Sequence, residues 1–147
     1  MILIDANLLI YAYNPDSENH IRSKEWLEET LSGITPVKFA WQTILAFLRI
    51  TTNIHVFREP FTSAEAARIV SDWFSQPAVN VVQPGERHWE ILSQLLTEAQ
   101  IQGPLVTDAH LAALALEHGL ILCSHDTDFL RFKDLRLYDP LEKNEPE

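Results

Sequence analysis

Met1-Ile2-Leu3-Ile4-Asp5-Ala6-Asn7 opens the chain: a short apolar run that leads straight into a carboxylate. Bulky and β-branched residues in such a run read as a buried strand. An acid where that strand emerges, with a helix starting just beyond it, stands in the crevice where open α/β sheets bind ligands and metal ions. Two later stretches reach an acid in the same way. They are Leu105-Val106-Thr107-Asp108 and Leu120-Ile121-Leu122-Cys123-Ser124-His125-Asp126-Thr127-Asp128.

Working outward, strands alternate with helices. A short helix is expected from Asn7 to Tyr13, stopping before Asn14-Pro15-Asp16. A second runs from about Asn19 to Leu31 with Trp26, Leu27 and Leu31 on one face, and ends at Gly33. A third, from Trp41 to Thr52, is apolar nearly all round and so is expected in the core or at an interface. The fourth opens on the capping-box pattern Thr62-Ser63-Ala64-Glu65 and carries Ala66, Ile69, Val70 and Trp73 inward. A strand is expected over Val79 to Val82, then a helix from Pro84 or Gly85 to about Gln100 with Trp89, Leu92 and Leu96 inward. Thr107 is expected to cap a helix that stops at Gly119, with Leu111, Ala112 and Ala115 toward the core. Leu120 to Cys123 reads as a buried strand and Leu135 to Tyr138 as an edge strand. The alternation predicts an α/β fold with a mostly parallel sheet flanked by helices.

With 147 residues, 46% of them hydrophobic, the chain suits one domain with a proper core. That domain is expected to cover residues 1–141, with a charged, frayed tail over 142–147. No apolar run is long enough to span a bilayer, and no signal-peptide pattern precedes the first strand. The single cysteine, Cys123, lies in an apolar run, as a reduced thiol in a cytoplasmic protein would. A net charge of −10 argues against nucleic acid as a partner, unless several acids hold a cation that reverses the local sign.

Parallel strands joined by helical crossovers put their exits on one edge of the sheet, so Asp5, Asp108, Asp126 and Asp128 can converge from distant parts of the chain. Carboxylates gathered in one pocket do not all stay ionised without a cation. Oxygen-only ligands select hard ions, Mg²⁺ or Mn²⁺, which serve phosphoryl chemistry by activating water. Each acid also has a local structural reading. Asp5 can cap the first helix, Asp108 can favour a helix dipole, and Asp126 can shape an Asx-turn.

The chain resembles the PIN-domain ribonucleases, in particular the VapC-type toxins of bacterial and archaeal toxin–antitoxin pairs. The resemblance rests on Ile2-Leu3-Ile4-Asp5-Ala6-Asn7, Leu48-Arg49-Ile50-Thr51-Thr52-Asn53, Thr107-Asp108-Ala109-His110-Leu111-Ala112-Ala113-Leu114-Ala115 and Ser124-His125-Asp126-Thr127-Asp128-Phe129, in family order and at similar spacing. It implies a three-layer α/β/α sandwich and an Mg²⁺- or Mn²⁺-dependent endoribonuclease whose products carry a 5′-phosphate. It also implies a VapB-type antitoxin partner, a homodimer and no membrane. By the match, Asp5, Asp108 and Asp126 are metal ligands and Asp128 a helper that orients water, while Ser124 stands where the family often has a hydroxyl. One position departs: where many members carry a glutamate in the third helix, this chain has Ala46, which leaves the acid cluster one short and gives Asp5 a larger share of the metal.

Two rival classes remain. A PIN-like fold that has lost catalysis and survives as a binding module is favoured by Ala46. A haloacid-dehalogenase-type phosphatase also places an aspartate after its first strand, but it needs a second one two residues on, where this chain has Asn7. Asn7 is expected to cap the first helix. Arg49 is a candidate partner of the acids or of RNA phosphate, or a surface ion pair. Arg22, Lys24, Arg58, Arg131 and Lys133 are candidate phosphate contacts or solvated surface charges. The six histidines show no metal-ligand spacing, and His125 alone lies near the acids. Trp41, Phe47 and Phe57 read as core, or as the lining of a partner groove.

Overall fold

The computed structural model describes residues 1–142. Five strands form one sheet: β1 Ile2–Ile4, β2 Val37–Phe39, β3 Val79–Val81, β4 Ile121–Cys123 and β5 Leu137–Tyr138. Their order is β3-β2-β1-β4-β5 and every pairing is parallel. Six helices accompany them: α1 Ala6–Tyr13, α2 His20–Leu31, α3 Trp41–Thr51, α4 Ser63–Ser75, α5 His88–Glu98 and α6 Leu105–His118. The tail expected over 142–147 lies, apart from the exposed Glu142, outside the described residues.

Alternation along β1 sorts the core into two layers. Ile4 joins Leu8, Leu9, Leu27, Phe39, Phe47 and Trp73, packed by α1 to α4. Leu3 joins Leu111, Ala112, Ala115, Leu122 and Phe129 on the face covered by α5 and α6. Successive side chains of a strand point to opposite faces, so a central strand buried on both sides must be apolar throughout. This is the three-layer sandwich expected from the sequence.

The strand order reverses between β1 and β4. In register, Ile2 pairs with Ile121, Leu3 with Leu122 and Ile4 with Cys123, and the Asp5 amide donates to the Cys123 carbonyl at 3.0 Å. A crevice opens beyond the carboxyl ends of two strands whose connections leave in opposite directions. Asp5 and Ser124 are the first residues past those ends.

Several expectations need correcting. β2 is absent from the sequence reading, since three residues with a central lysine carry little periodicity. α6 begins at Leu105, not after Thr107. Gly103, at φ 61°, turns the chain into Pro104, and the Thr107 hydroxyl donates to the Pro104 carbonyl at 2.8 Å. Asp5, not Asn7, caps α1, and Asn7 is exposed. Trp89 faces solvent at 69% exposure, whereas Leu92 and Leu96 pack inward as expected. The capping box at Thr62 forms in full, with Thr62 Oγ1 accepting from the Glu65 amide and Glu65 Oε1 accepting from the Thr62 amide.

Candidate metal centre

Asp5 uses both carboxylate oxygens locally. Oδ1 accepts the Ala6 amide at 2.8 Å, capping α1, and Oδ2 accepts the Ser124 hydroxyl at 2.8 Å. Ser124 is buried, and its oxygen also accepts the Asp126 amide at 3.0 Å. With its acceptor side turned to that amide, the hydroxyl proton is directed at Asp5. One serine therefore ties the exit of β1 to the exit of β4.

Past Ser124 the chain enters a 3-10 turn over Thr127–Arg131, capped by Asp126, whose Oδ1 accepts the Asp128 amide at 2.8 Å. The Asx-turn reading of Asp126 therefore holds, and the turn brings Asp128 back beside it. Arg131 closes the turn, donating through Nε to the Asp128 carbonyl at 2.8 Å and lying 3.4 Å from Asp128 Oδ1. Asp108 approaches from the first turn of α6. Asp108, Asp126 and Asp128 each offer an oxygen, and these atoms lie within 4.8 Å of one another. Asp5 stands beside this trio.

The electrostatics record the crowding. Burial raises the Asp108 pKa most, the charges of Asp126, Asp5 and Asp128 raise it further, and Arg131 offsets only part, which leaves it at about 6. The Asp5 carboxyl is also raised, chiefly by burial and in small part by Asp126, against the lowering effect of its bonds from Ser124 and Ala6. Tyr11, one turn into α1, is raised by burial and then by Asp126 and Asp5, which places its hydroxyl in the same negative field. Three convergent, partly buried carboxylates beside a fourth form an all-oxygen donor set with a single arginine at its border, which suits a hard divalent cation.

Ala46 lies partly buried on α3 and adds no donor. One turn earlier, Gln42 reaches across to α6, with Nε2 at 3.4 Å from the Thr107 carbonyl, next to Asp108. Among the described residues, Arg49 makes no ion pair and is exposed, and Arg58 pairs with Asp16. Phe47 and Phe57 are core, whereas Trp41 is 51% exposed.

The family model described as PIN domain matches residues 2–135. The chain belongs to the PIN-domain family. Ribonuclease VapC37 of Mycobacterium tuberculosis is 44% identical over 140 residues, spanning 95% of this chain and 97% of that one. Two solved structures share the fold at low identity. VapBC2 of Rickettsia felis, bound to a DNA fragment from its promoter, matches with a TM-score of 0.69 and 16% identity, covering 94% of this chain and 98% of that one. VapC20 of Mycobacterium tuberculosis, a sarcin-ricin loop cleaving toxin, matches with a TM-score of 0.64 and 17% identity over 88% of this chain and 93% of that one. PIN domains as a family are metal-dependent nucleases, and the acid cluster here stands at the carboxyl edge of β1 and β4.

Sequence reasoning named all four acids. It did not foresee that Asp128 would join Asp108 and Asp126 as a trio, nor that Asp5 would accept the Ser124 hydroxyl; the reading of Asp5 as a cap of the first helix holds. It also missed a polar cluster between α5 and α6. There His88 Nε2 and His110 Nδ1 are 2.9 Å apart, and Glu117 accepts the Gly85 and Arg87 amides at 2.8 and 3.0 Å. No linear signal announces that cluster, because its members meet only across two helices.

Proposed function

We propose that the protein is an Mg²⁺- or Mn²⁺-dependent endoribonuclease, the toxin of a VapBC-type pair, acting in the cytoplasm. The observation that carries this reading is the trio Asp108, Asp126 and Asp128 within 4.8 Å, with Asp5 beside it, at the switch point of the sheet. Full-length kinship to a chain named ribonuclease VapC supports the reaction class. Among the described residues no helix is long and apolar enough to cross a membrane.

Asp108 and Asp126 would hold the ion, with Asp128 completing the trio and Asp5 binding it or a water beside it. When bound, such an ion activates water toward a phosphodiester and offsets charge that builds up at phosphorus. The protein supplies the rest. Ser124 fixes the Asp5 rotamer, the Asp126–Asp128 turn brings two carboxylates together, and Arg131 holds that turn closed. The raised Asp108 carboxyl must lose its proton before it can bind a cation, so metal affinity should climb with pH through about 6.

A homodimer and a VapB-type antitoxin are part of the same proposal. Trp41 and Leu45, one turn apart on α3, are 51% and 60% exposed, and Phe74 of α4 lies 6.3 Å from Trp41, ring centre to ring centre. An apolar strip of this kind suits a protein partner. Residues 1–141 are taken as the single catalytic domain.

The test is cleavage of single-stranded and hairpin RNA with added Mn²⁺ or Mg²⁺. The expected result is strand scission that stops with chelator and in Asp108→Asn. Intact RNA with either ion at neutral pH would refute the nuclease reading. Release of phosphate from a monoester would favour the phosphatase class.

A further inference from the structure

Next to the acid trio, and bordered by Asp126 itself, residues past the exits of β4 and β5 line a cavity of about 230 Å³. Its apolar wall is Leu130 and Leu137, and its polar side is His125, Asp126, Thr127 and Asp139. His125 Nδ1 lies 2.8 Å from Asp139 Oδ2, while Asp139 Oδ1 accepts the Leu141 amide at 2.9 Å. That second bond fixes the carboxylate, and the fixed carboxylate fixes the imidazole. Nδ1 is thereby committed, and Nε2 is the ring nitrogen left for a ligand. Tyr11 packs against the same ring at a steep angle, with centroids 6.4 Å apart and 77° between the ring planes. The acids do not need this dyad, because Ser124, Asp126 and Asp128 are already held by their own bonds.

The chemistry of the cavity selects its occupant. Asp126, Asp139 and Glu142 border it, so a phosphate would be repelled. Leu130, 71% exposed, offers apolar surface that a flat ring can cover. Unstacked bases of single-stranded RNA are held in this way, stacked on side chains and hydrogen-bonded along an edge.

We propose that His125, oriented by Asp139, contacts the base of the nucleotide next to the cleaved phosphodiester and contributes to the choice of cleavage site. This rests on the ribonuclease reading above. His125 is a substrate-contacting residue in the proposal, and Asp139 a positioning residue that acts through it.

The experiment uses the full chain with Asp108→Asn as background, so that RNA stays intact, and reads binding of fluorescein-labelled single-stranded RNA decamers of varied sequence by anisotropy. His125→Ala is expected to weaken binding by roughly tenfold, the scale of one lost base contact, and Asp139→Asn by a smaller factor. In the otherwise unaltered chain, His125→Ala should raise KM with little change in kcat and should shift the base preferred beside the cut. Metal affinity, read by calorimetry, should not move in either variant. His125→Asn, which keeps a polar edge, should recover part of the affinity, which a purely structural loss would not. RNA binding in the background that is unchanged by His125→Ala would overturn the proposal and leave the cavity to a protein partner. Loss confined to kcat together with weakened metal binding would overturn it as well, as would a background that binds no RNA. If the chain cleaves no RNA yet the background binds it in a His125-dependent way, the contact stands and only the nuclease reading falls.

Discussion

Asp108 has no bond that fixes its carboxylate among the described residues, and three acids press on it. A carboxyl whose folded pKa lies above its unfolded value favours the fold below the unfolded pKa, and that benefit is lost as pH rises through the folded value. For Asp108 the window runs from 3.8 to about 6. Without metal, ionising this group therefore costs stability at neutral pH. Asp108→Asn is expected to abolish cleavage while raising metal-free stability at pH 7 by roughly 1 kcal/mol, reduced from the full linkage because the group is partly solvated. Urea unfolding at pH 4 and pH 7 checks it, with the gain present only at the higher pH. Ser124 has the opposite character. Ser124→Ala removes a donor to Asp5 and an acceptor for the Asp126 amide at a buried position, and should cost about 1–3 kcal/mol as well as most of the activity. Ser124→Thr should retain both bonds and recover activity, as rate measurements at saturating metal would show. The acids were legible because each follows an apolar run. The division of work among them was not, since it depends on which oxygens the backbone amides claim.

At the scale of elements, one carboxylate of α6, Glu117, pins the turn that leads into α5. Burial pushes Glu117 up, but the Gly85 and Arg87 amides, with His118 and His88 nearby, outweigh it, and its pKa is lowered. A depressed acid contributes stability that is present above its unfolded pKa and lost as pH falls through the folded one. Glu117→Ala should cost about 2 kcal/mol at pH 7 and much less in acid below the ordinary carboxyl range, as thermal melts across that span would show. A Cβ at Gly85 would sit 2.6 Å from Glu117 Oε2, so Gly85→Ala should also destabilise, by about 1–3 kcal/mol. The double variant should cost less than the sum, because removing the carboxylate removes the clash, and a double-mutant cycle in urea tests that. Legibility follows the same physics. The Thr62 box and the stop at Gly119, at φ 66°, are local and were read correctly. Helical spacing puts Trp89 on the inward face because it gives a face without saying how wide that face is. Thr107 reads as a cap because a threonine before an acid has the right chemistry, although Gly103-Pro104 makes the turn three residues sooner.

For the whole molecule, the order β3-β2-β1-β4-β5 turns scattered aspartates into one pocket. The alternation of apolar runs and helices implied this architecture. β2 escaped notice because its pairing with β1 and β3 defines it more than its own three residues do. Binding of a cation to the folded pocket alone stabilises the fold by mass action. At a hundredfold excess over its dissociation constant, Mn²⁺ should add about 2.7 kcal/mol and raise Tm by several degrees. Scanning calorimetry of the wild type and Asp108→Asn would show the shift only in the former.

The bond from Ser124 to Asp5 joins residues 119 positions apart, and the same distance separates β1 from the strand it needs. During synthesis the first ligand leaves the ribosome long before the last ones. An unfinished chain cannot assemble the pocket, however well α1 to α4 have packed. The proposed activity therefore waits for the segment that carries Ser124, Asp126 and Asp128, and a nascent chain too short to present that segment is harmless to the RNA around it.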